Sequence, residues 1–263
     1  MPAIIKGMRD LNPMAAKGFG NAAQIYSRGR PGFPRQSRDW LVDDLQVGPG
    51  SIVVELGAGT GKFTKVLRET GAYVIAIEPV SAMLAQLAAD QPELRILRAS
   101  AQNIPVASES IDAVVCAQSF HWFAIESVVD EIRRVLKPGG VLGLIWNVRD
   151  ASIGWVAEIE QLVSRHEGNA PRYAGGEWRS VFPAKGFGTL EEAVATHGHT
   201  GSAEQVIVDR TASVSFVAAL SEEERASLLA EVRSLISRTA ELCKPTVTMP
   251  YVTNMYWCRK NRI

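Results

Sequence analysis

This sequence of 263 residues has few cysteines, a formal net charge of zero and no long hydrophobic run. The three cysteines, Cys116, Cys243 and Cys258, have no spacing typical of a disulfide framework or a metal site, so no metal is expected. Lys and Arg together number 28, as do Asp and Glu, so the charges balance. A protein that binds nucleic acid or an anionic membrane usually has a basic surface instead. No apolar run reaches the roughly 18 residues of a membrane span, and the start MPAIIKGMRDLNPM lacks a signal-peptide core. We therefore expect a cytoplasmic protein that binds neither nucleic acid nor membrane.

Glycines are concentrated in one short stretch, VVELGAGTG at residues 53–61. An apolar run precedes them and an amphipathic run follows, which predicts a buried strand, a tight turn and a helix, the layout of a nucleotide-type site. The spacing G-x-G-x-G is not the dinucleotide fingerprint, and no Walker G-K-[ST] follows. Glu55, just before the loop, would repel a pyrophosphate but suits a ligand bearing an ammonium. A strand–turn–helix corner with incidental glycines is the alternative interpretation.

Strands and helices alternate along the chain, which predicts an α/β fold with βαβ crossovers and a parallel sheet. The first predicted strands cover 52–56, 73–77, 94–98, 111–116 and 141–146, and the first predicted helices cover 35–46, 61–70, 81–89 (capped by Ser81) and 124–137. Farther along we expect a helix at 152–167, a strand near 189–198, a short helix near 202–208, a helix at 221–240 that opens on a Ser221–Glu224 capping box, and a last antiparallel strand at 247–258.

The carboxyl ends of parallel strands meet at one edge of a sheet, where ligands bind in this class of fold. We therefore expect five segments to converge there: Glu55–Gly61, Glu78, Ser100–Gln102, Ala117–Trp122 and Trp146–Arg149.

Five blocks together resemble the class I S-adenosylmethionine-dependent methyltransferases. They are VVELGAGTG at 53–61, VIAIEP at 74–79, ASAQNIP at 99–105, IDAVVCAQSFHWF at 111–123 and RVLKPGGVLGLIWN at 134–147. YSRGRPGFP at 26–34 with QSFHWF is similar to the trans-aconitate-methyltransferase-like subgroup, which acts on small molecules. The resemblance implies a Rossmann-like three-layer sandwich. Its seven-stranded, mostly parallel sheet would have the order 3-2-1-4-5-7-6, with strand 7 antiparallel.

The resemblance also implies the cofactor S-adenosylmethionine, the product S-adenosylhomocysteine and a set of contacts. Gly57, Gly59 and Gly61 would pass beneath the methionine portion, and Glu55 would face its ammonium. Glu78, followed by Pro79, would bind both ribose hydroxyls, because two carboxylate oxygens suit a vicinal diol. Ala101 and Gln102 would lie by the adenine beside Ser100, where the family often has Asp. Ala117 and Gln118 complete the implied cofactor site.

One domain is expected over 1–263. Residues 1–34 would form an N-terminal arm and cap, 35–150 the cofactor-binding core, 151–187 an insert or lid, and 188–263 the C-terminal strands and helices. Trp155, Tyr173 and Trp178 in the insert could line an acceptor pocket, although aromatic residues are more often core.

Transfer from a sulfonium needs alignment and dehydration more than a base. By resemblance, Tyr26 and Arg30 fold across the cofactor, with the phenol near the methyl or the methionine carboxylate and Arg30 clamping an acidic acceptor; a surface turn is the alternative. His121 could act as a base or orient a substrate oxygen, or it could cap the helix near Ala124. Trp122, Trp146, Asn147 and Arg149 are the remaining candidates for acceptor binding, although Trp146 could simply be packing.

The leading hypothesis is therefore a methyltransferase that moves the methyl group to an oxygen, possibly a carboxylate, of a small molecule. C-, N- or S-methylation is the near alternative. A nicotinamide-dependent oxidoreductase and an inactive cofactor- or partner-binding protein are the alternatives from other classes. A monomer or a homodimer is expected.

Overall fold

The computed structural model describes residues 30–262. This part of the chain contains a seven-stranded sheet. The strands are β1 (Ile52–Leu56), β2 (Tyr73–Ile77), β3 (Arg95–Leu97), β4 (Ile111–Ala117), β5 (Leu136–Arg149), β6 (Glu191–Gly201) and β7 (Val247–Arg259). Their order is 3-2-1-4-5-7-6. β7 runs antiparallel to β5 and β6, and the other neighbours are parallel. The topology implied by the resemblance is confirmed.

Helices connect and cover these strands. They are α1 (Arg35–Asp39), α2 (Lys62–Arg68), α3 (Ser81–Asp90), α4 (Glu126–Val135), α5 (Gly154–Ser164), α6 (Arg210–Ala212), α7 (Ser215–Ala218) and α8 (Glu222–Arg238). A π-helical turn, Trp40–Asp44, extends α1, and another, Glu204–Asp209, leads into α6. Short 3₁₀ turns lie at Phe120–Trp122, Glu177–Val181 and Ala240–Leu242.

Successive residues of a strand point to opposite faces of the sheet, and the central strands are apolar on both faces. Val54 and Leu56 of β1 pack with α4 on one face, whereas Val53 packs with Phe63 of α2 on the other. A separate apolar cluster joins α5, the turn Glu204–Asp209 and α8 to the first half of β7. This last cluster places the C-terminal third of the chain beside the end of β5.

Some predicted boundaries were wrong, and the reasons are physical. β5 continues to Arg149 because β7 pairs with it residue by residue, from Val141 opposite Arg259 to Arg149 opposite Tyr251. Asn147 and Arg149 therefore lie inside the strand and do not follow it. Helix α4 begins at Glu126, not at 124, and Ser81 is the first residue of α3 without a side-chain cap.

The capping box at the start of α8 is confirmed. Glu224 N donates to Ser221 Oγ at 3.2 Å, and Ser221 N donates to Glu224 Oε2 at 3.0 Å. The division of the chain into arm, core, insert and C-terminal part stays a prediction.

Candidate active site

The turn after β1 is a glycine loop with left-handed backbone. Gly57, Gly59 and Gly61 have φ of +70°, +58° and +83°. The amides of Gly57 and Ala58 donate to Ile77 O at 2.8 and 3.1 Å, which ties the loop to the end of β2. A Cβ at Gly57 would lie 2.7 Å from Ser119 Cβ, and one at Gly61 would lie 2.3 Å from Leu87 Cδ1. Neither the backbone conformation nor the space accommodates a side chain at these two positions.

Glu78 lies beside this loop at the end of β2. Its Oε2 accepts from Gly59 N and its Oε1 from Val80 N, both at 2.9 Å. Burial raises the pKa of this carboxyl, while the two backbone donors oppose the shift. Since each carboxylate oxygen can accept a second hydrogen bond, Glu78 retains acceptor capacity toward a ligand.

Glu55 is the acidic residue of β1, with only 1% of its surface exposed. Thr64 Oγ1 donates to Glu55 Oε2 at 2.5 Å. Burial, with a smaller contribution from the charge of Glu78, raises the pKa of Glu55 to about 8 against the opposing Thr64 bond. The carboxyl is therefore mostly neutral at pH 7 and would ionise beside a cation.

Two adjoining cavities open at this edge of the sheet. The glycine-loop cavity is lined by Arg30, Pro31, Phe33, Glu55, Gly57–Thr60, Lys62, Phe63, Ala117, Gln118, Asn147 and Arg210. The aromatic cavity is lined by Arg30, Gln118, His121, Trp122, Trp146–Arg149, Glu160, Pro171–Ala174, Arg210 and Val214–Phe216. Four residues line both cavities: Arg30, Gln118, Asn147 and Arg210.

Most of the residues singled out from the sequence line these cavities. Gly61, Glu78, Pro79 and Ser100–Gln102 do not, although Glu78 is bonded to the loop. Ser100 starts a turn in which Asn103 N donates to its carbonyl at 3.2 Å, and Ala101 is buried in the main core. Tyr26 lies outside the described residues. All the cofactor contacts assigned from the sequence, including those of Pro79 and Ser100–Gln102, stay predictions.

His121 lies in the 3₁₀ turn after β4. Trp146 Nε1 donates to His121 Nδ1 at 3.1 Å. The neutral imidazole therefore carries its proton on Nε2 and is a donor there. Burial, followed by the charges of Arg30 and Arg172, lowers the pKa of His121 to about 3. The alternative that His121 caps α4 is wrong, since Ile125 is the N-cap residue.

Both polar atoms of the Asn147 side chain have partners. Nδ2 donates to Gly32 O at 2.9 Å, and Oδ1 accepts from Thr253 Oγ1 at 2.7 Å. Gln118 Nε2 donates to the carbonyl of Asn147 at 3.0 Å from a backbone with φ of +59°. These bonds hold the chain at residue 32 against the ends of β4 and β5.

Arginines surround the aromatic cavity. Arg149 Nε donates to Glu160 Oε1 at 2.5 Å, and Arg172 pairs with Glu160 at 3.3 Å and with Glu167. Burial raises the pKa of Glu160, but Arg149, Arg172 and Arg210 together leave it below its usual range. Arg30 Nη2 donates to Ser213 O at 3.2 Å.

No pattern in the sequence predicted that several other residues would line the two cavities. Lys62 Nζ donates to Arg30 O at 2.6 Å, and burial, with the charges of Arg30, Lys65 and Arg210, lowers its pKa to about 8. Glu160, Arg172, Arg210 and Phe216 come from segments read only as helix or loop. Of the insert aromatics, Tyr173 lines the cavity, Trp178 packs behind Trp146 with ring centroids 4.7 Å apart, and Trp155 belongs to the C-terminal cluster.

Within residues 30–262, no group of three or more His, Cys, Asp or Glu side chains is placed to hold a metal ion. None of the helices in that range combines the length and apolar character needed to cross a bilayer.

Comparisons with known proteins agree on one family. A family model described as a methyltransferase domain matches residues 54–144. An uncharacterized methyltransferase-like protein of Schizosaccharomyces pombe is 37% identical over 217 residues, 82% of this chain and 84% of that protein. An uncharacterized methyltransferase of Mycobacterium bovis is 36% identical over 236 residues, 89% of this chain and 92% of that protein.

Two further likenesses are more distant. The malonyl-acyl-carrier-protein O-methyltransferase of Pectobacterium atrosepticum is 28% identical over 154 residues, 58% of this chain and 59% of that protein. A solved structure of a type II methyltransferase candidate from Anaeromyxobacter dehalogenans has a TM-score of 0.63 at 19% identity. It covers 89% of this chain and 98% of that one, which shows the shared fold.

The chain belongs to the class I S-adenosylmethionine-dependent methyltransferases. It is an enzyme of that class, and its cofactor is S-adenosylmethionine. Membership in the trans-aconitate-methyltransferase-like subgroup stays a prediction.

Proposed function

We propose that this enzyme methylates a carboxylate oxygen of a small acidic molecule. The observation that supports this most directly is the charge of the aromatic cavity. Among residues 30–262, four arginines, Arg30, Arg149, Arg172 and Arg210, and one carboxylate, Glu160, line it. An acceptor that carries a negative charge is favoured in such a cavity over a neutral or cationic one.

The residues around the glycine loop fit the two ends of the cofactor. Glu55 suits the α-ammonium, because a neighbouring cation favours its ionised form. Lys62 and Arg30, joined by the bond from Lys62 Nζ to Arg30 O, suit the α-carboxylate. The remaining acceptor capacity of Glu78 suits the ribose hydroxyls.

The chemistry requires no base from the protein. The cofactor supplies a methyl group on a sulfonium; an O–CH3 bond forms to the carboxylate, the electron pair of the broken S–CH3 bond stays on sulfur, and no proton moves. This agrees with the state of His121, whose Nδ1 lone pair is taken by Trp146 and whose Nε2 carries the proton. We assign His121 a hydrogen-bond donor role toward an acceptor oxygen, not a base role. Asn147 and Gln118 act by holding the wall in place.

The relatives support oxygen as the acceptor atom only by analogy. The Pectobacterium atrosepticum protein is an O-methyltransferase by name, but it matches little more than half of this chain.

An activity screen with a radiolabelled methyl donor tests the proposal. Panels of small carboxylic acids, phenols, thiols and amines are incubated with the enzyme, and products are identified by mass. We expect methyl esters from members of the acid panel. Glu78→Ala serves as the inactive control and Glu69→Gln, a change at an exposed residue of the C-cap of α2, as the active one. Methylation confined to thiols, amines or phenols would overturn the proposal.

A further inference from the structure

Arg210 is one of the four arginines that line the aromatic cavity, and its side chain is buried. It follows the π-helical turn Glu204–Asp209, and only 8% of its surface is exposed. Its Nε donates to Tyr251 Oη at 3.2 Å. Its Nη1 has no hydrogen-bond partner among residues 30–262. The side chain lines both the glycine-loop cavity and the aromatic cavity.

The neighbouring cations already have anionic or carbonyl partners. Arg149 and Arg172 pair with Glu160, and Lys62 donates to Arg30 O. Glu160 is close enough to respond to the charge of Arg210, yet no ion pair joins the two within the described range. Arg210 is therefore left with a buried N–H that nothing in this part of the chain satisfies.

A buried polar group without a partner is costly, and a buried charge more so. An unsatisfied buried polar group in a folded protein calls for an explanation, such as a catalytic role or a bound ion, and π-helical turns are frequent at functional sites. Because Arg210 lines both cavities, an anion bound to Nη1 would lie where the two cavities adjoin.

Aromatic side chains form part of the wall of the aromatic cavity. Trp146, 1% exposed, packs against Tyr173 with ring centroids 4.9 Å apart and the ring planes tilted by 35°. Tyr173 Oη and Tyr256 Oη are joined by a 2.8 Å hydrogen bond. Phe216, six positions after Arg210 in the chain, lines the same cavity, and the guanidinium of Arg172 lies 5.6 Å from its ring centroid. Flat apolar walls of this kind favour an aromatic or similarly flat ligand body.

We infer that Arg210 binds the carboxylate of the methyl acceptor through Nη1, and that the acceptor is an aromatic carboxylate whose ring packs against Trp146, Tyr173 and Phe216. The inference rests on the proposed function, which it narrows from acids in general to one class of acid. The cofactor carboxylate is the competing ligand. Lys62 lines only the glycine-loop cavity and already lies beside Arg30, so that carboxylate has its own cationic partners.

Binding measurements can test this without turnover. The enzyme is saturated with S-adenosylhomocysteine and titrated with benzoate, phenylacetate and cinnamate, each paired with its neutral amide, by calorimetry and tryptophan fluorescence. We expect at least one carboxylate to bind at least tenfold more tightly than its amide. In Arg210→Gln the carboxylate should lose about 10- to 100-fold in affinity, as expected for a charge-assisted hydrogen bond, while the amide is unaffected. Arg210→Lys should lose less.

Arg165→Gln is the matched control, because Arg165 is exposed and pairs with Glu231 at 3.0 Å away from both cavities. Equal affinity of wild type for carboxylates and amides would overturn the inference. So would a loss of S-adenosylhomocysteine affinity in Arg210→Gln that 5′-methylthioadenosine, which lacks the amino-acid end, does not share. If Arg210→Gln does not fold, the same two comparisons are made with Arg210→Lys.

The two proposals can fail separately. Tight carboxylate binding that depends on Arg210, with no methyl ester in the activity screen, would refute the proposed function and leave Arg210 as an anion site. Ester formation from acids without dependence on Arg210 would support the proposed function and refute the inference about Arg210.

Discussion

The glycine-loop cavity and the aromatic cavity adjoin in space but are built in opposite ways. The loop, Glu55 and Glu78 lie within one βαβ unit, and the bonds among them join residues at most 20 positions apart, such as Gly59 N to Glu78 Oε2. The aromatic cavity is assembled from distant segments: Arg30 bonds Ser213, which is 183 positions away, and Arg149 bonds Thr211, 62 positions away. The glycine loop with its two carboxylates is a local unit, whereas the aromatic cavity depends on how the C-terminal third of the chain packs.

The largest expected effect would break the local unit by straining the glycine loop at Gly61, which packs against α3. Gly61→Ala forces a side chain onto a φ of +83° and against Leu87 Cδ1 and Gln91 Nε2, so we expect a loss of about 2–5 kcal/mol in the free energy of unfolding. Gly154→Ala is the control, since a Cβ there meets nothing within 4 Å. Urea denaturation measures both. Equal stability of the two alanine variants would show that the strain assigned to the loop is absent.

How much the sequence predicts follows from the same contrast. The glycine turn, Glu55, Glu78 and the strand order depend on local patterns and on a family resemblance, and the topology is confirmed. Asn147 and Arg149 were expected beyond the strand because the apolar run ends at Trp146, but pairing with β7 extends β5 through them. Arg210 and Phe216 have no local signal at all. A cavity wall made of such residues depends on tertiary packing that periodicity does not encode.

The next largest effect is a loss of cofactor affinity, which we expect on changing Glu78 beside the glycine loop. Glu78→Gln replaces one carboxylate oxygen with an amide nitrogen, which cannot accept the hydrogen bond now donated by Gly59 N or Val80 N. We expect the Kd of S-adenosylhomocysteine to rise about 10- to 100-fold, as for the loss of a charge-assisted bond. Glu69→Gln should change the Kd little. Calorimetry checks this, and an unchanged Kd in Glu78→Gln would remove that residue from the cofactor site.

A third effect concerns protons in the glycine-loop cavity. Glu55 has a pKa of about 8 in the unliganded protein, so it is mostly protonated at pH 7, and binding an ammonium beside it should release that proton. The affinity for S-adenosylhomocysteine should therefore rise with pH between 6 and 8, by up to about tenfold per unit. 5′-Methylthioadenosine, which has no ammonium, should show a flat profile.

The raised pKa of Glu55 also makes the stability of the folded protein depend on pH. Glu55 ionises near pH 4.5 when unfolded but near 8 when folded, so its contribution to stability is full below pH 4.5 and declines as pH rises through 8. Glu55→Gln should remove both this decline and the pH dependence of cofactor binding. If the dependence persists in Glu55→Gln, another group is responsible for the proton.

The smallest effect probes the aromatic cavity, at the bond from Trp146 Nε1 to His121 Nδ1. Trp146→Phe keeps an aromatic ring but removes the donor, so we expect a loss of about 1 kcal/mol and a shift of the neutral His121 from the Nε2–H tautomer toward a mixture. Two-bond ¹⁵N–¹H NMR of the imidazole reports the tautomer. Trp178→Phe is the matched control, because Trp178 Nε1 donates to Tyr173 O at 3.2 Å and not to His121. Its stability should fall by a similar amount while the His121 tautomer stays unchanged. Wild-type enzyme with the proton on Nδ1 would instead leave Nε2 free as a base and contradict the donor role assigned to His121.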